Sequence, residues 1–217
     1  MINGFIILFG LTMLYLSATS RIIAHIRLLI IQGVLLFLIC CSGMHGHINW
    51  LNFAFLTVET LIVKSIVIPW FLYKVLKKTH SNRDVAANIP HFYCLFISSI
   101  ILLAGFLVSN YYVSSMKLIS PMFFGVSVAT IIISLWLITI KHKIISNVIE
   151  FITMENGIFL LSLSVAKEMP MLVNLGVLLD VFIAVYILGL FVNEINKEFK
   201  DLEVSHLSDL KDYEYND

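Results

Sequence analysis

The sequence predicts an all-α, polytopic membrane protein with about seven transmembrane helices. Of its 217 residues, 59% are hydrophobic and only 13% are charged, and the mean hydropathy is +0.96. A soluble domain of this size is usually nearer half apolar and a quarter charged. Several uncharged stretches reach about 18 residues, the length at which a helix can cross the hydrocarbon core of a bilayer. We therefore expect the chain to be embedded in the cell membrane.

Seven apolar stretches predict the individual spans. In chain order they cover 2–20, 26–44, 51–76, 91–110, 120–140, 148–166 and 171–192. Pro90, Pro121 and Pro170 stand at or just before the start of a span, where a missing backbone N–H does no harm. Pro69 lies within the third span, and we expect it to kink that helix and to free the carbonyl of Ser65.

Lysine and arginine are distributed unevenly between the connecting loops. The loops after spans 1, 3 and 5 and the start of the tail are basic, whereas the loop after span 2 has no basic residue and those after spans 4 and 6 have one each. Basic loops of membrane proteins face the cytoplasm. With seven spans, all the basic loops fall on one side, so the N-terminus is predicted outside and the C-terminus in the cytoplasm.

A weak internal repeat accompanies this topology. A shift of 124 residues aligns the second span, from Gln32 to Cys41, with the sixth, from Asn156 to Val165. A shift of 121 aligns Val58–Ile62 of the third span with Leu179–Ile183 of the seventh. Spans 1–3 and 5–7 would also have the same orientation, because span 4 connects them. This pattern predicts two parallel three-helix repeats.

The repeat divides the chain into four parts. We predict a first three-helix membrane repeat at 1–78, a connecting helix at 79–118, a second repeat at 119–192 and a cytoplasmic tail at 193–217. The tail is charged and carries regularly placed leucines in SHLSDLKD, and alone it could not bury a core. We interpret it as a segment that orders against a cytoplasmic partner, with a disordered tail as the alternative.

Four ionisable residues lie well inside predicted spans: Glu59, Lys64, Glu155 and Asp180. A charge in hydrocarbon is costly unless it is paired, solvated or neutralised, and such residues commonly mark proton relays and ion paths. Glu155 and Asp180 are at similar depth in consecutive spans, so we predict that they are the centre of a proton-translocation path. Glu59 and Lys64 are further candidates. The alternative is that all four are packing contacts without a transport role.

Glu59 and Lys64 are five residues apart, which is about 140° around an α-helix. We therefore expect no local ion pair between them, and each should face a different neighbour. Glu150 lies near the cytoplasmic end of the sixth span. We expect its carboxylate to reach headgroup water, with a role in proton uptake as the alternative.

The sequence predicts no cofactor, metal or catalytic site in this chain. Cys40, Cys41 and Cys94 lie in apolar stretches without a zinc or iron–sulfur spacing. The histidines fall in loops or near span ends, which disfavours paired axial ligands for a transmembrane haem. No Walker, G-x-G-x-x-G or H-E-x-x-H pattern occurs.

Glu155-Asn156-Gly157, together with Asp180 in LGVLLDVFIAVYILGLF, resembles the hydrogenase-4 component E family. Members of that family are membrane subunits of formate hydrogenlyase-type, energy-converting NiFe hydrogenases. The resemblance covers nearly the whole chain, and its most specific stretch is MENGIFLLSLSVAKEMPMLVNLGVLLDVFIA. The family is similar in turn to the K subunit of complex I and the C subunit of Mrp-type antiporters. Those are three-span proteins with a carboxylate in the second span and, in the K subunit, another in the third.

The resemblance assigns positions to the candidate residues. Glu155 takes the place of the second-span glutamate, and Asp180 takes the third-span position with aspartate in place of glutamate. In the first half Glu59 matches the third-span position, whereas the second-span carboxylate has no counterpart, since the register puts Ile31 there, beside Gln32. Lys64 has no counterpart in the three-span pattern.

The resemblance implies an integral membrane subunit of a complex-I-like NiFe hydrogenase. Its carboxylates would contribute to proton translocation, and it would anchor antiporter-like subunits. The implied partners are antiporter-like and quinone-binding-type membrane subunits and a cytoplasmic hydrogenase arm. Those partners would hold the iron–sulfur clusters and the NiFe centre, and no nucleic acid is implied. Two alternatives remain open: a subunit of a Mrp-like cation/proton antiporter, and a structural membrane scaffold that moves no ions.

Overall fold

The computed structural model describes residues 2–43, 57–78, 89–112, 121–141 and 143–165, and these are almost wholly helical. Within this part of the chain a π-helical segment, Val58–Val67, continues directly into an α-helix, Ile68–Lys78, and we treat the two as one helix, α3. The other helices are α1 (Ile2–Ala18), α2 (Ile22–Gly43), α4 (His91–Tyr112), α5 (Pro121–Ile140) and α6 (Ile144–Val165). The described residues contain no β-strand.

The described residues confirm the all-helical class, and their apolar helices agree with a membrane protein. Three helices in the described ranges, over Ile22–Ser42, His91–Tyr111 and Pro121–Ile140, are long and apolar enough to cross a membrane, and Ile2–Ala18 is apolar but shorter. Each of the first six predicted spans contains one of these helices, and residues 51–56 of the third span lie outside the described part of the chain. The seventh span, with Asp180, and the tail lie outside the described residues. The seven-span count and the repeat therefore stay predictions.

Two helices begin earlier than predicted. Helix α2 starts at Ile22 instead of residue 26, and α6 starts at Ile144 instead of residue 148. In both cases the additional first turn carries polar residues, His25 in α2 and Ser146 in α6, and both side chains are buried inside the protein. Polar residues at these positions suggested that the loops extended further. The residues belong to the helices because their side chains pack against other helices.

The region before Pro69 is π-helical. The Ile68 N–H donates a hydrogen bond to the Val63 carbonyl, five residues earlier, as in a π-helix. In such a helix, hydrogen bonds join residues five apart, so the 140° separation that holds for an α-helix does not apply to Glu59 and Lys64. That reason for placing the two residues on different faces was therefore wrong.

Helix α2 is central to the packing of the described helices. It contacts α1, α3 and α6, while α5 and α6 form the most extensive pair and α4 packs mainly on α5 and α1. Buried apolar side chains form two clusters at different depths. The first contains Ile6, Phe9, Leu35, Leu36, Ile39, Cys40, Val126, Phe159 and Leu160. The second contains Met13, Leu16, Leu28, Cys94, Ile133, Leu137 and Ile140.

Helices α4 and α5 approach each other most closely at two glycines. A Cβ atom added to Gly105 would lie 2.7 Å from the carbonyl oxygen of Gly125, and one added to Gly125 would lie 2.8 Å from that of Gly105. One turn away, the Ser109 hydroxyl donates a hydrogen bond to the Pro121 carbonyl. Small residues allow membrane helices to pack backbone against backbone, so both positions require glycine.

Candidate functional site

Lys64 of α3 and Glu155 of α6 form a buried ion pair. The Lys64 Nζ atom lies 3.3 Å from the Glu155 Oε1 atom, and each side chain is 1% exposed. Lys64 also donates a hydrogen bond of 3.3 Å to the Asn156 Oδ1 atom. Its ammonium lies 5.0 Å from the centre of the Phe159 ring, where a cation–π interaction is favourable. The ammonium is therefore stabilised by three groups, of which Glu155 is one.

A directed chain of hydrogen bonds continues from this pair through α6 and α2 to α1. The Asn156 Nδ2 atom donates to the Gln32 Oε1 atom at 3.2 Å, and the Gln32 Nε2 atom donates to the Thr12 Oγ1 atom at 3.0 Å. Thr12 in turn donates to the Phe9 carbonyl at 2.6 Å. Each group accepts from the one nearer Lys64 and donates to the one beyond. The chain therefore orients the Asn156 oxygen towards the ammonium.

We call this set the central polar layer: Thr12, Gln32, Lys64, Glu155 and Asn156. It lies between the two apolar clusters. On α1, Thr12 lies between Phe9 of the first cluster and Leu16 of the second, and on α2, Gln32 lies between Leu28 of the second cluster and Leu35 of the first. All five side chains are buried. The layer is thus enclosed by apolar packing on both sides, as expected for a polar site at mid-depth in a membrane protein.

Gly157, the last residue of the Glu155-Asn156-Gly157 sequence, is required by packing. A Cβ atom at this position would lie 2.9 Å from the Thr130 Cγ2 atom and 3.1 Å from the Ile131 Cγ1 atom of α5. The three consecutive residues therefore have three functions. Glu155 carries the charge, Asn156 connects the ammonium to α2, and Gly157 brings α5 close beside them.

The structure brings together two of the four predicted site residues. Lys64 contacts Glu155, so the expectation that Lys64 faces a neighbour on another helix is confirmed. The backbone of Glu59 lies in the π-helical segment, but its side chain lies outside the described part of the structure, as does the whole of Asp180. Whether any of the four moves protons stays a prediction.

Sequence reasoning missed Gln32 and Asn156 as members of the site. A signal for them was present, since the shift of 124 residues aligns these two positions, and they meet in space through a hydrogen bond. Ile31, which the same register places opposite Glu155, is 47% exposed and lies outside the central polar layer. In the first half of the chain, Gln32 and not Ile31 is therefore the polar residue of the central polar layer.

A second buried ionic group lies where α2 begins and α5 ends. Lys141 Nζ contacts the Glu150 Oε1 atom and lies 2.9 Å from the His25 Nε2 atom, and His25 Nε2 is 3.7 Å from Glu150 Oε1. The His25 and Glu150 side chains are fully buried and Lys141 is nearly so. The expectation that Glu150 reaches headgroup water was wrong, because α6 turns this carboxylate towards Lys141 inside the protein. We call these three residues the terminal ionic cluster.

A polar cleft lies next to this cluster at the turn between α1 and α2. It has a volume of about 520 Å³ and is lined by Tyr15, Ala18, Thr19, Ser20, Arg21, Ile23, Ala24 and Arg27. The carbonyl of Arg21 also binds the His25 Nδ1 atom at 2.9 Å. Among the described residues, no group of three or more His, Cys, Asp or Glu side chains is arranged to hold a metal ion.

Comparison with curated proteins gives relatives that match along most of the chain. Hydrogenase-4 component E of Escherichia coli K12 is 24% identical over 190 residues, which is 84% of this chain and 82% of the relative. This chain is similar to hydrogenase-4 component E. The same protein of Escherichia coli O157:H7 and of Shigella flexneri matches with the same identity and coverage.

A further relative is the uncharacterized protein Rv0085 of Mycobacterium tuberculosis, 24% identical over 156 residues and 71% of each chain. No protein-family model matches the chain, and no solved structure matches it. The similarity to hydrogenase-4 component E agrees with the resemblance carried by Glu155-Asn156-Gly157. It also agrees with the apolar helices of a membrane protein.

Proposed function

We propose that this chain is an integral membrane subunit of a complex-I-like, membrane-bound NiFe hydrogenase in which Lys64 and Glu155 transfer protons. The observation that carries the proposal is the buried Lys64–Glu155 pair. The similarity to hydrogenase-4 component E supports the kind of complex. Antiporter-like and quinone-binding-type membrane subunits and a cytoplasmic arm would be its partners, and that arm would hold the iron–sulfur and NiFe centres.

The surroundings of Lys64 favour transfer over a permanent ion pair. Removing the only partner of a buried charge strongly destabilises a protein. Lys64 has two further partners, the Asn156 oxygen and the Phe159 ring, and both stabilise the ammonium. Glu155 can therefore accept a proton and become neutral while Lys64 stays charged and bound.

Asp180 and Glu59 are proposed as further members of the path. Asp180 follows Glu155 in the next predicted span, and Glu59 precedes Lys64 by five residues. Together with Glu155, these carboxylates would give protons a route across the membrane with water between the groups. The N-terminus would lie outside and the C-terminus in the cytoplasm.

The purely structural scaffold is supported by a different observation. The hydrogen bonds of the central polar layer join α1, α2, α3 and α6 and would hold these helices together even without proton transfer. The two functions differ in what they require of Glu155. Transfer requires a group that titrates, whereas a scaffold requires only a polar group of the right shape.

The decisive experiment uses membrane vesicles that contain the whole complex, with formate or hydrogen as electron donor. Glu155→Gln keeps the shape of the side chain and removes the titrating proton. It should reduce coupled proton movement by on the order of a hundredfold, as expected for loss of a proton-transfer group. Electron transfer to an artificial carrier should stay unchanged, and Glu155→Asp should restore part of the coupling.

Ser162→Ala is the matched control on the same helix, because the Ser162 hydroxyl donates only within α6, to the Phe159 carbonyl. It should couple normally. Wild-type proton movement in the Glu155→Gln variant would overturn the proposal and leave the scaffold as the better account. Sodium-dependent movement without any hydrogenase activity in the complex would favour the antiporter.

A further inference from the structure

The polar cleft at the turn between α1 and α2 carries two arginine side chains that have no anionic partner among the described residues. Arg21 lies in the turn and Arg27 in the second turn of α2, and both are exposed and line the cleft. Neither takes part in the ion pairs that join Lys64, Lys141 and His25 to carboxylates within the described helices. Of the described residues that line the cleft, none is Asp or Glu. The two positive charges are therefore open to an anion from outside the chain.

The backbone of this turn is held from inside the protein. The Arg21 carbonyl oxygen accepts hydrogen bonds from the N–H groups of Ala24 at 2.9 Å and His25 at 3.2 Å. The His25 Nδ1 atom lies 2.9 Å from the same oxygen, and it donates, because a carbonyl oxygen only accepts. His25 is fully buried and belongs to the terminal ionic cluster. The position of the Arg21 backbone therefore does not depend on a ligand, and a preformed site binds at lower cost.

The lining of the cleft suits a phosphate group. A guanidinium presents paired N–H groups whose spacing matches the oxygens of a phosphate. The hydroxyl-bearing residues Tyr15, Thr19 and Ser20 line the cleft beside the two arginines, and hydroxyls can donate to further oxygens. The volume of about 520 Å³ lies within the range of about 300–1,000 Å³ that is usual for small-molecule sites. The cleft can therefore hold a phosphodiester with a small polar head.

Exposed apolar faces of α1 and α2 continue from the cleft towards the middle of the membrane. Tyr15 on α1 and Arg27 on α2 line the cleft, and the two helices pack on each other. Exposed apolar side chains follow at spacings of three, four or seven residues from these two: Leu8 and Leu11 on α1, and Ile30, Ile31 and Val34 on α2. Residues at such spacings share one face of a helix. A molecule with an anionic head and hydrocarbon chains would match both the cleft and these faces.

We propose that the cleft binds the phosphodiester headgroup of an anionic phospholipid of the cytoplasmic leaflet, with the acyl chains lying against these faces of α1 and α2. The loop that contains Arg21 is one of the basic loops predicted to face the cytoplasm. Anionic lipids give that surface of a membrane its negative potential. The proposal goes beyond the proposed function, because it requires a chain that spans the membrane but no proton transfer by Lys64 and Glu155.

The test uses the whole complex in phosphatidylcholine nanodiscs that contain a small fraction of a photoreactive lipid. The probe is phosphatidylglycerol with a diazirine group in one acyl chain, and phosphatidylcholine with the same chain is its control without net charge. After illumination, mass spectrometry locates the adducts. On the faces of α1 and α2 below the cleft, the phosphatidylglycerol probe should react more than the control by on the order of tenfold. Adducts on the exposed face of α4, which includes Leu103 and Leu107, should show no such preference.

Two kinds of variant separate a built site from diffuse attraction. Arg21→Gln combined with Arg27→Gln should abolish the preference, whereas Lys77→Gln, an exposed position of α3 outside the cleft, should retain it. Ala18→Phe keeps both arginines and places a ring in the cleft, which Ala18 lines. It should lower the phosphatidylglycerol adducts on α1 and α2 by on the order of tenfold. Ala104→Phe, at an exposed position of α4, is its matched control and should react as wild type.

An unchanged preference in Ala18→Phe would show that the basic loops attract anionic lipid without a defined site, and it would overturn the proposal. Equal reaction of the two probes in the wild-type complex would overturn it as well. The level of each variant in the membrane shows that it inserts and folds. Because Ala18→Phe leaves every charge in place, its result does not depend on how the arginines affect insertion.

Competition identifies the source of the phosphate. Unlabelled phosphatidylglycerol should displace the probe from α1 and α2, and inorganic phosphate should not, since it has no acyl chain. Displacement by inorganic phosphate would show that the cleft takes a soluble anion and would overturn the assignment to a lipid. The experiment needs no turnover, so Glu155→Gln should keep the full preference. Failure of the lipid site would thus leave the proposed function intact, and normal coupling in Glu155→Gln would leave the lipid site intact.

Discussion

Gln32 and Asn156 share a hydrogen bond of 3.2 Å where α2 meets α6, although they are 124 residues apart. The same shift aligns the second and sixth predicted spans. If two parallel three-helix units are related by a two-fold axis along the membrane normal, equivalent residues touch where they lie beside that axis. A contact between Gln32 and Asn156 is the contact that such an axis predicts, and it agrees with the proposed repeat.

The hydrogen bond predicts unequal effects of two substitutions. Gln32→Leu removes a link between α1, α2 and α6. It should reduce the free energy of unfolding by about 0.6 to 1.7 kcal/mol, from the average to the largest value measured for hydrogen bonds between helices of a membrane protein. Asn156→Leu should cost more, because Lys64 loses an acceptor as well. Unfolding of the purified protein in mixed micelles measures both values. Equal costs would contradict the role of Asn156 as the partner of the ammonium.

The buried ion pair predicts that replacing Lys64 alone destabilises the protein more than replacing Lys64 and Glu155 together. Lys64→Met leaves Glu155 without its cation and should reduce the free energy of unfolding by about 3–5 kcal/mol. The double variant Lys64→Met with Glu155→Leu removes both charges and should recover most of that loss, since an apolar pair can replace a buried ion pair. The measurement is the same unfolding equilibrium. A double variant as unstable as the single one would contradict the pairing of the two charges.

The contact between α4 and α5 predicts a strict requirement for glycine. Gly105→Ala places a Cβ atom 2.7 Å from the Gly125 carbonyl oxygen and should destabilise the protein by about 1–3 kcal/mol, as for an overpacked core. Gly4→Ala is the matched control, because no atom lies within 4 Å of the Cβ position there. Thermal unfolding of both variants should separate them, and equal melting temperatures would contradict the close contact.

The distribution of basic residues predicts the topology. A reporter fused after Asp217 should be active only in the cytoplasm, because every basic loop falls on that side when there are seven spans. A reporter fused before Met1 should be active only outside. Activity of both reporters on the same side would require an even number of spans and would remove the parallel repeat as well.

Sequence reasoning located most helices because the length and apolar content of a segment can be read without knowing which other helices it contacts. Helices α1, α4 and α5 end or begin within about two residues of the prediction. The early starts of α2 and α6 were not predictable in this way, because His25 and Ser146 are polar residues buried by contacts with other helices. Pro69 predicted a disturbance of the third helix, but not that the segment before it is π-helical.

The candidate site was predicted in part for the same physical reason. Lys64 and Glu155 were identified because a charge inside an apolar span is costly wherever it lies. That they pair with each other depends on α3 and α6 having α2 as a common neighbour, which is a property of the assembled helices. The terminal ionic cluster was missed because Lys141 and His25 stand at span ends, where a charge normally reaches water.

The close crossing of Gly105 and Gly125 also bears on how the chain enters the membrane. Helices α4 and α5 are consecutive, so both are synthesised before α6. Their backbones meet directly, and pairing of such helices depends on packing and hydrogen bonds between them. The two can therefore associate as a hairpin during synthesis. Helix α6, with Glu155, would then insert beside a pair of helices that is already packed.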